Sequence, residues 1–180
     1  MTGEAADTSA DTSIHASAVL VGNRAVLIRG PSGAGKSRLA FDLILAGRAG
    51  QIAPATLVGD DRVHVWPKGT ELMIRAAPAL AGLIEIRGLG IRRCEFAAEA
   101  AVGLVVDLDA DDAERLPPTK SLQTSIKGIS IPRIPVQRGF SGLPLVIAAL
   151  TMTANSSSAH PSADCSKEFG NHITPTLATE

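Results

Sequence analysis

The sequence predicts an α/β protein whose mixed sheet contains several hairpins and carries a phosphate-binding loop. Three observations predict this class. An apolar strand at 25–28, a Gly-rich loop and an apolar-periodic helix at 38–46 follow one another directly. Two pairs of short apolar segments are each separated by a turn, at 22–23 and 67–70. A further apolar strand spans 102–108. A purely parallel sheet would carry fewer hairpins, so we expect a mixed one.

The first elements form a hairpin that leads into the loop. Residues 18–21 and 25–28 are apolar and flank Gly22-Asn23, a pair typical of a tight turn. The second of these strands enters the Gly-rich loop. A helix is expected over 38–46, ending at Gly47 because glycine is common just beyond helix ends.

The later elements are predicted from alternation and from breaker residues. Pro132 and Pro135 indicate an edge strand or loop, because proline cannot donate to a sheet ladder. The run Gly88-Leu89-Gly90 predicts a tight turn, and Pro117-Pro118 ends any preceding helix. In order, we predict strands at 56–58, 63–66 and 71–74, a short helix at 78–83, a strand at 102–108, a short helix at 111–115, an extended segment at 128–136 and a helix at 143–152.

The 180 residues suit one folded domain, which we place at 13–153. Residues 1–12 and 154–180 are rich in small and polar side chains, and both are predicted to be disordered. Hydrophobic residues make up 45% of the chain but aromatic residues only 3%. We therefore expect a core of Val, Ile, Leu and Ala.

The charge and hydropathy of the chain exclude several classes. A net charge of −1 gives no electrostatic basis for binding nucleic acid or an anionic membrane. No apolar run is long enough to span a bilayer, and the acidic N-terminus differs from a secretory signal. A cytoplasmic location is therefore the default expectation.

The loop fits the pattern Gly-x-x-x-x-Gly-Lys-Ser between a strand and a helix. Such a loop wraps backbone N–H groups around phosphate oxygens at a helix N-terminus. The lysine reaches the β- and γ-phosphates and the serine hydroxyl binds Mg²⁺, which predicts a nucleotide or another polyphosphate as the ligand, together with Mg²⁺. The predicted binding residues are Gly30, Pro31, Ser32, Gly33, Ala34, Gly35, Lys36 and Ser37.

Carboxylates at two places could serve phosphoryl transfer. Asp60-Asp61 follows an apolar strand, and because neighbouring side chains point to opposite faces, only one can easily face the phosphates. That one could take a proton from a hydroxyl acceptor, although a surface turn explains the pair equally well. Glu85 could bind Mg²⁺ and Arg87 a phosphate, but a surface ion pair is the simpler explanation.

Other candidates carry weaker signals. Asp107 ends an apolar strand and could assist Mg²⁺, but this pattern is common and ranks below Asp60. His15 precedes the first strand, and lone histidines are more often structural than catalytic. We expect Arg115, Arg133 and Arg138 to be ordinary surface arginines, although each could approach a phosphate or a protein substrate.

Taken in order, His15, the loop at 30–37, Asp60-Asp61 and the run Glu85-Ile86-Arg87-Gly88-Leu89-Gly90 resemble the catalytic domain of the HPr kinase/phosphorylase family. The resemblance covers about residues 13–150. It implies a fold similar to the nucleotide-binding core of phosphoenolpyruvate carboxykinase and a hexamer. It also implies a short form that lacks a separate N-terminal domain.

The resemblance implies a role for each matching residue. Lys36 would hold the β- and γ-phosphates of ATP, while Ser37 and Glu85 would serve Mg²⁺. Asp60 would accept the proton from a serine of the phosphocarrier protein HPr and donate one when phosphate attacks phosphoserine to give pyrophosphate. His15 would support Asp60, and Arg115 falls near the family's catalytic arginine.

The sequence departs from the family at 135–141. The family has Pro-Val-Arg-Pro-Gly-Arg-Asn there, tied to dephosphorylation, whereas this chain has Pro-Val-Gln-Arg-Gly-Phe-Ser. Phosphorylase activity is therefore an open expectation, with Arg133 and Arg138 as candidate replacement cations. A small-molecule kinase and a non-catalytic nucleotide-binding regulator are the alternative functions.

Overall fold

A mixed sheet forms the centre of the computed structural model, which describes residues 11–152. The helices are α1 (Lys36–Arg48) and α2 (Leu143–Thr151), and short 3₁₀ segments span Pro78–Leu80 and Thr119–Leu122. The strands are β1 (Thr12–Ile14), β2 (Ser17–Val21), β3 (Arg24–Arg29), β4 (Ala55–Gly59), β5 (Val63–Lys68), β6 (Glu71–Ala76), β7 (Leu83–Ile86), β8 (Gly90–Arg93), β9 (Ala100–Leu108), β10 (Gln123–Ile126) and β11 (Ile129–Val136).

The order β1-β5-β6-β9-β3-β2-β4 runs across the main sheet, and β11 joins β9 and carries β10. Strand β9 is parallel to β3 and to β11 but antiparallel to β6. The pairs β2–β3 and β5–β6 are hairpins, while β7 and β8 form a separate two-stranded sheet. The prediction of an α/β fold with a mixed sheet and hairpins is confirmed.

Two apolar layers form because side chains of a strand alternate between faces. Val26 and Ile28 of β3 pack with α1 residues such as Leu43. Ala25 and Leu27 of the same strand join a second layer that includes residues of β5 and β6. The sheet therefore fixes the start of α1 at the end of β3, where the phosphate loop lies.

Two predicted helices differ from the observed structure, and a third has a different end. Helix α1 runs through Gly47 to Arg48. Gly47 serves packing here and does not end the helix, since a Cβ at this position would lie 2.7 Å from both Cβ and N of Ala55. The segment 111–115 is a turn rather than a helix, with the Asp112 carboxylate bound to Arg133. The helix expected over 78–83 shortens to the 3₁₀ turn at Pro78–Leu80.

The prolines of β11 lie where the strand changes partners. Residues 129–132 pair with β10 and residues 133–136 pair with β9. Within the described residues, each half of β11 therefore pairs with a neighbouring strand along only one of its two edges. Because the other edge makes no strand pairing, Pro132 and Pro135, which lack a backbone N–H donor, are tolerated there.

The structure places the N-terminal boundary earlier than expected. Thr12 begins β1 opposite Val65, and the Asp11 carboxylate accepts a 2.8 Å hydrogen bond from Arg75. The predictions of disorder for 1–10 and 154–180 lie outside the described residues. In the part of the chain that is described, no helix has the length and apolar character to cross a membrane.

Candidate active site

The phosphate loop connects the end of β3 to the start of α1. A Cβ at Gly30 would lie 2.9 Å from the backbone oxygen of Leu108, so glycine allows the loop to pass close to the end of β9. The first turn of α1 contains no acidic residue, and its N-cap Gly35 has no side chain to satisfy the helix N–H groups. An anion at this helix end would find donors and a favourable dipole.

The Lys36 side chain folds back over the loop and is buried. Its Nζ donates hydrogen bonds of 3.0 Å to the backbone oxygens of Gly30 and Pro31. Burial lowers the pKa of Lys36, and the negative charges of Asp60 and Asp61 partly oppose this effect. A phosphate bound in the loop would add negative charge beside this ammonium group and so favour its protonated form.

The Asp60 carboxylate is only 3% exposed and accepts three hydrogen bonds. Its Oδ1 accepts from the Ser37 hydroxyl at 2.9 Å and from the Ser17 hydroxyl at 2.5 Å. Its Oδ2 accepts from the Glu85 N–H at 3.0 Å. Asp60 therefore links the start of α1 to β2 and β7 and holds the Ser37 hydroxyl in place.

The neighbouring Asp61 points in a different direction. Its backbone has a φ of 65°, a left-handed conformation that aspartate tolerates better than most residues. Its side chain is 68% exposed, and Oδ1 lies 3.4 Å from Nε2 of His15. The structure thus places His15 beside Asp61, whereas the sequence-based expectation linked it to Asp60.

Most of the loop, Asp61 and Glu85 border one cleft of about 600 Å³, which we call the acceptor cleft. The buried Asp60 is not among its lining residues. Glu85 and Arg87, at the end of β7 and in the turn that follows, form part of its wall together with Ile86. The first half of the Glu-Ile-Arg-Gly-Leu-Gly run therefore faces the phosphate loop. Its other lining residues include His15, Ser32, Gly33, Gly35, Lys36, Ser37, Phe41 and Asp61.

Arg115 and Asp107 are among the sequence candidates that lie outside this cleft. Arg115 is exposed in the segment that follows β9 and is not among the residues lining the acceptor cleft. Asp107 accepts hydrogen bonds of 2.7 and 2.8 Å from Arg29 and a further one from Arg133. Burial raises the pKa of Asp107, but these hydrogen bonds outweigh it and the net shift is downward.

Sequence reasoning missed Ser17 and the separate environments of Asp60 and Asp61. Ser17 lies 43 positions before Asp60 and is fully buried in a strand, so no local pattern marks it. The Asp-Asp pair was visible, and the rule that neighbouring side chains diverge predicted that only one would face the phosphates. The sequence did not show which of the two this would be.

A protein-family model matches most of this chain. The family model described as "HPr Serine kinase C-terminal domain" matches residues 6–172. This chain belongs to that family. All residues that line the acceptor cleft, from His15 to Arg87, lie within the range matched by the family model.

Relatives of the HPr serine kinase domain extend the comparison. The chain is 33% identical over 151 residues to the HPr kinase/phosphorylase of Mycoplasma mycoides and 36% identical over 141 residues to that of Geobacillus thermodenitrificans. These matches cover 76% and 71% of this chain but 46% and 43% of the relatives, so the chain spans less than half of their length.

A solved structure supports the fold of the domain. The HPr(Ser) kinase/phosphatase of Coxiella burnetii aligns with a TM-score of 0.61 and 27% identity. The alignment covers 77% of this chain and 93% of that one. The mixed α/β architecture is therefore shared with a member of the same family.

Proposed function

We propose that this domain transfers the γ-phosphate of ATP to a serine of the phosphocarrier protein HPr. The observation that carries the proposal is the meeting, in one cleft, of the phosphate loop, Asp61 and the segment 85–87. The buried Asp60 is hydrogen-bonded to Ser37 and to the Glu85 N–H of this cleft. The names of the relatives supply the acceptor, since the cleft itself could also admit a smaller hydroxyl compound.

The phosphate loop would hold ATP and Mg²⁺. The backbone of 30–37 and the Lys36 ammonium group would bind the phosphates. Mg²⁺ prefers one or two carboxylates together with phosphate oxygens and water, and the Ser37 hydroxyl beside Asp60, with Glu85 across the cleft, fits this donor set. Bound Mg²⁺ would offset the negative charge that develops during transfer.

The geometry favours Asp61 as the group that accepts the serine proton. The resemblance gave this role to Asp60, but Asp60 is buried and both of its oxygens already accept hydrogen bonds. Asp61 reaches the open cleft, where a serine side chain could approach it, and His15 lies beside it. We therefore propose that Asp61 accepts the proton while Asp60 positions Ser37 and its metal ion.

The reverse reaction would use the same groups. Inorganic phosphate would attack the phosphorus of phosphoserine, the bond to the serine oxygen would break, and that oxygen would take a proton as pyrophosphate forms. Of the two candidate replacement cations, Arg133 is bound to Asp107 and Asp112, while Arg138 is exposed just after β11. Arg138 is thus the more accessible of the two cations, and we propose it for this activity.

We further propose a cytoplasmic enzyme that assembles as a hexamer, as the family resemblance implies. Light scattering after size-exclusion chromatography tests the assembly directly. A monomeric mass at micromolar concentration would contradict it without affecting the proposed chemistry.

The proposed reaction is tested by the intact mass of HPr. Incubation of HPr with the domain and ATP–Mg²⁺ is expected to add one phosphate, and later addition of inorganic phosphate to remove it with release of pyrophosphate. Lys36→Ala should abolish the first step, because the ammonium group that binds the transferred phosphate is lost.

The matched control is Lys68→Ala, a lysine at the exposed end of β5 that is not among the residues lining the acceptor cleft. This variant should phosphorylate HPr at the wild-type rate. Mass gain on HPr that survives Lys36→Ala would contradict the proposal. Turnover of a small hydroxyl compound with no gain on HPr would instead support a small-molecule kinase.

A further inference from the structure

A second cavity lies on the other side of the phosphate loop. It has a volume of about 340 Å³ and is lined by apolar groups of Leu39, Leu108, Val136 and Phe140. Gly35, Arg38 and Asp42 border both this cavity and the acceptor cleft, so the start of α1 separates the two spaces. A ligand held in the loop can therefore extend into either space.

The chemistry of this cavity suits an uncharged aromatic group better than a phosphate. The Asp109 carboxylate lines it, and the charge of Arg38 is offset by hydrogen bonds of 3.0 and 3.2 Å to the Asp42 carboxylate. A phosphate would thus meet uncompensated negative charge there. The volume lies within the range of small-molecule sites that are mostly apolar with a few polar groups.

Phe140 supplies an aromatic surface at the mouth of this cavity. Its side chain is 69% exposed, so it adds little to the core. Phe140 is the last residue of a turn, in which its backbone N–H donates a 3.0 Å hydrogen bond to the backbone oxygen of Gln137. An exposed aromatic ring beside an apolar cavity is a suitable surface for stacking a nucleobase.

The geometry of phosphoryl transfer decides which space each substrate uses. The attacking and leaving oxygens lie roughly in line on opposite sides of the transferred phosphorus. The groups suited to an acceptor hydroxyl, Asp61 and His15, line the acceptor cleft. The leaving diphosphate and its nucleoside should then extend away from that cleft.

From these observations we infer that the second cavity binds the nucleoside part of ATP, with Phe140 stacking on the base and Leu108 and Val136 forming the apolar wall. The Asp109 carboxylate is placed to accept a hydrogen bond from a ribose hydroxyl. This inference rests on the proposed function, since it assumes that the phosphates occupy the loop. It also gives the altered segment at 135–141 a role in donor binding.

Calorimetry with two probes, ADP and inorganic pyrophosphate, each with Mg²⁺, tests the inference. Phe140→Ala is expected to weaken ADP binding about tenfold, since base stacking contributes about 1–3 kcal/mol, while pyrophosphate binding stays within about twofold. Ser141→Trp should block the cavity and give the same selective loss. Phe96→Leu is the control, because Phe96 is a partly exposed aromatic residue that lines neither space.

The outcomes separate this inference from the proposed function. Equal ADP affinity in wild type, Phe140→Ala and Ser141→Trp, with pyrophosphate still bound, would overturn the inference and leave the proposed function standing. A matching loss of both probes in the two variants would also overturn it, since the loop itself would then be damaged. If the wild-type domain binds neither probe, both proposals fail.

Discussion

The adjacent residues Asp60 and Asp61 have the same side chain but differ in burial and hydrogen bonding. Asp60 directly follows β4 and has a buried side chain that accepts three hydrogen bonds, whereas the chain turns at Asp61 and exposes its carboxylate beside His15. A carboxylate whose lone pairs are occupied is suited to positioning, and an open one to proton transfer. The difference leads to distinct expectations for the two amide variants.

Asp61→Asn is expected to lower kcat for HPr phosphorylation by about 10²–10⁴-fold, since an amide cannot accept the serine proton. ADP binding should stay within about twofold of wild type. Asp60→Asn should instead raise the Mg²⁺ concentration needed for half-maximal rate, because the amide weakens the hold on Ser37 and the metal ion. Steady-state kinetics over a Mg²⁺ series measures both effects.

The reverse pattern would reassign the two roles. If Asp60→Asn lowered kcat by about 10²–10⁴-fold while its residual activity kept a normal Mg²⁺ requirement, and Asp61→Asn remained active, Asp60 would be the proton acceptor that the family resemblance first indicated. His15→Gln provides a further check, because it should lower kcat only through Asp61 and therefore by less than Asp61→Asn does.

At the scale of elements, the approach of α1 to β4 depends on one glycine. The sequence predicts that the helix ends at Gly47, because glycine is common just beyond helix ends. The structure continues the helix to Arg48 and uses Gly47 where the backbone of Ala55 comes close. The sheet fixes β4, so α1 cannot move away without disturbing the apolar layer beneath it.

Gly47→Ala is expected to lower the free energy of unfolding by about 1–3 kcal/mol, despite the better helix propensity of alanine. The added Cβ would lie 2.7 Å from the Ala55 backbone nitrogen, which cannot yield as a flexible side chain would. Urea denaturation measures the change. Arg48→Ala, one residue further along and exposed, should stay within about 0.5 kcal/mol of wild type.

At the scale of the whole molecule, one ion-pair network joins three parallel strands to the segment that follows β9. Arg29 of β3 and Arg133 of β11 both donate to Asp107 of β9, and Arg133 also donates to Asp112 at 2.7 and 2.9 Å. Hydrogen bonding from Arg133 lowers the pKa of Asp112 to about 2. The network holds β9 and β11 against the end of β3, where the phosphate loop begins.

Arg133→Met should reduce the free energy of unfolding by about 2 kcal/mol at neutral pH, since charged hydrogen bonds to Asp107 are lost. The pKa values of Asp107 and Asp112 are lowered in the folded state, so these carboxylates stabilise the fold above an unfolded pKa of about 3.9. This stabilisation disappears as the pH falls toward about 2. The deficit of the variant should therefore be full above about pH 4 and shrink below it.

Urea denaturation at a series of pH values measures this deficit. Arg138→Met is the matched control, because Arg138 is exposed and should show neither the loss nor the pH dependence. A deficit for Arg133→Met that stays constant down to pH 2.5 would mean that Arg133 stabilises the fold through packing alone.

The sequence by itself determined the local parts: the phosphate loop between β3 and α1, both hairpins, the strand β9 and the order of motifs that marks the family. Each of these depends on neighbouring residues, through apolar periodicity or through the glycines and lysine of a loop. Only the tertiary structure decided that Asp60 is buried against Ser17 and Ser37, that Asp61 faces the cleft with His15, and that Asp107 is held by two arginines. The sheet order sets these contacts, because it brings together residues that are far apart in the chain and that no local pattern connects.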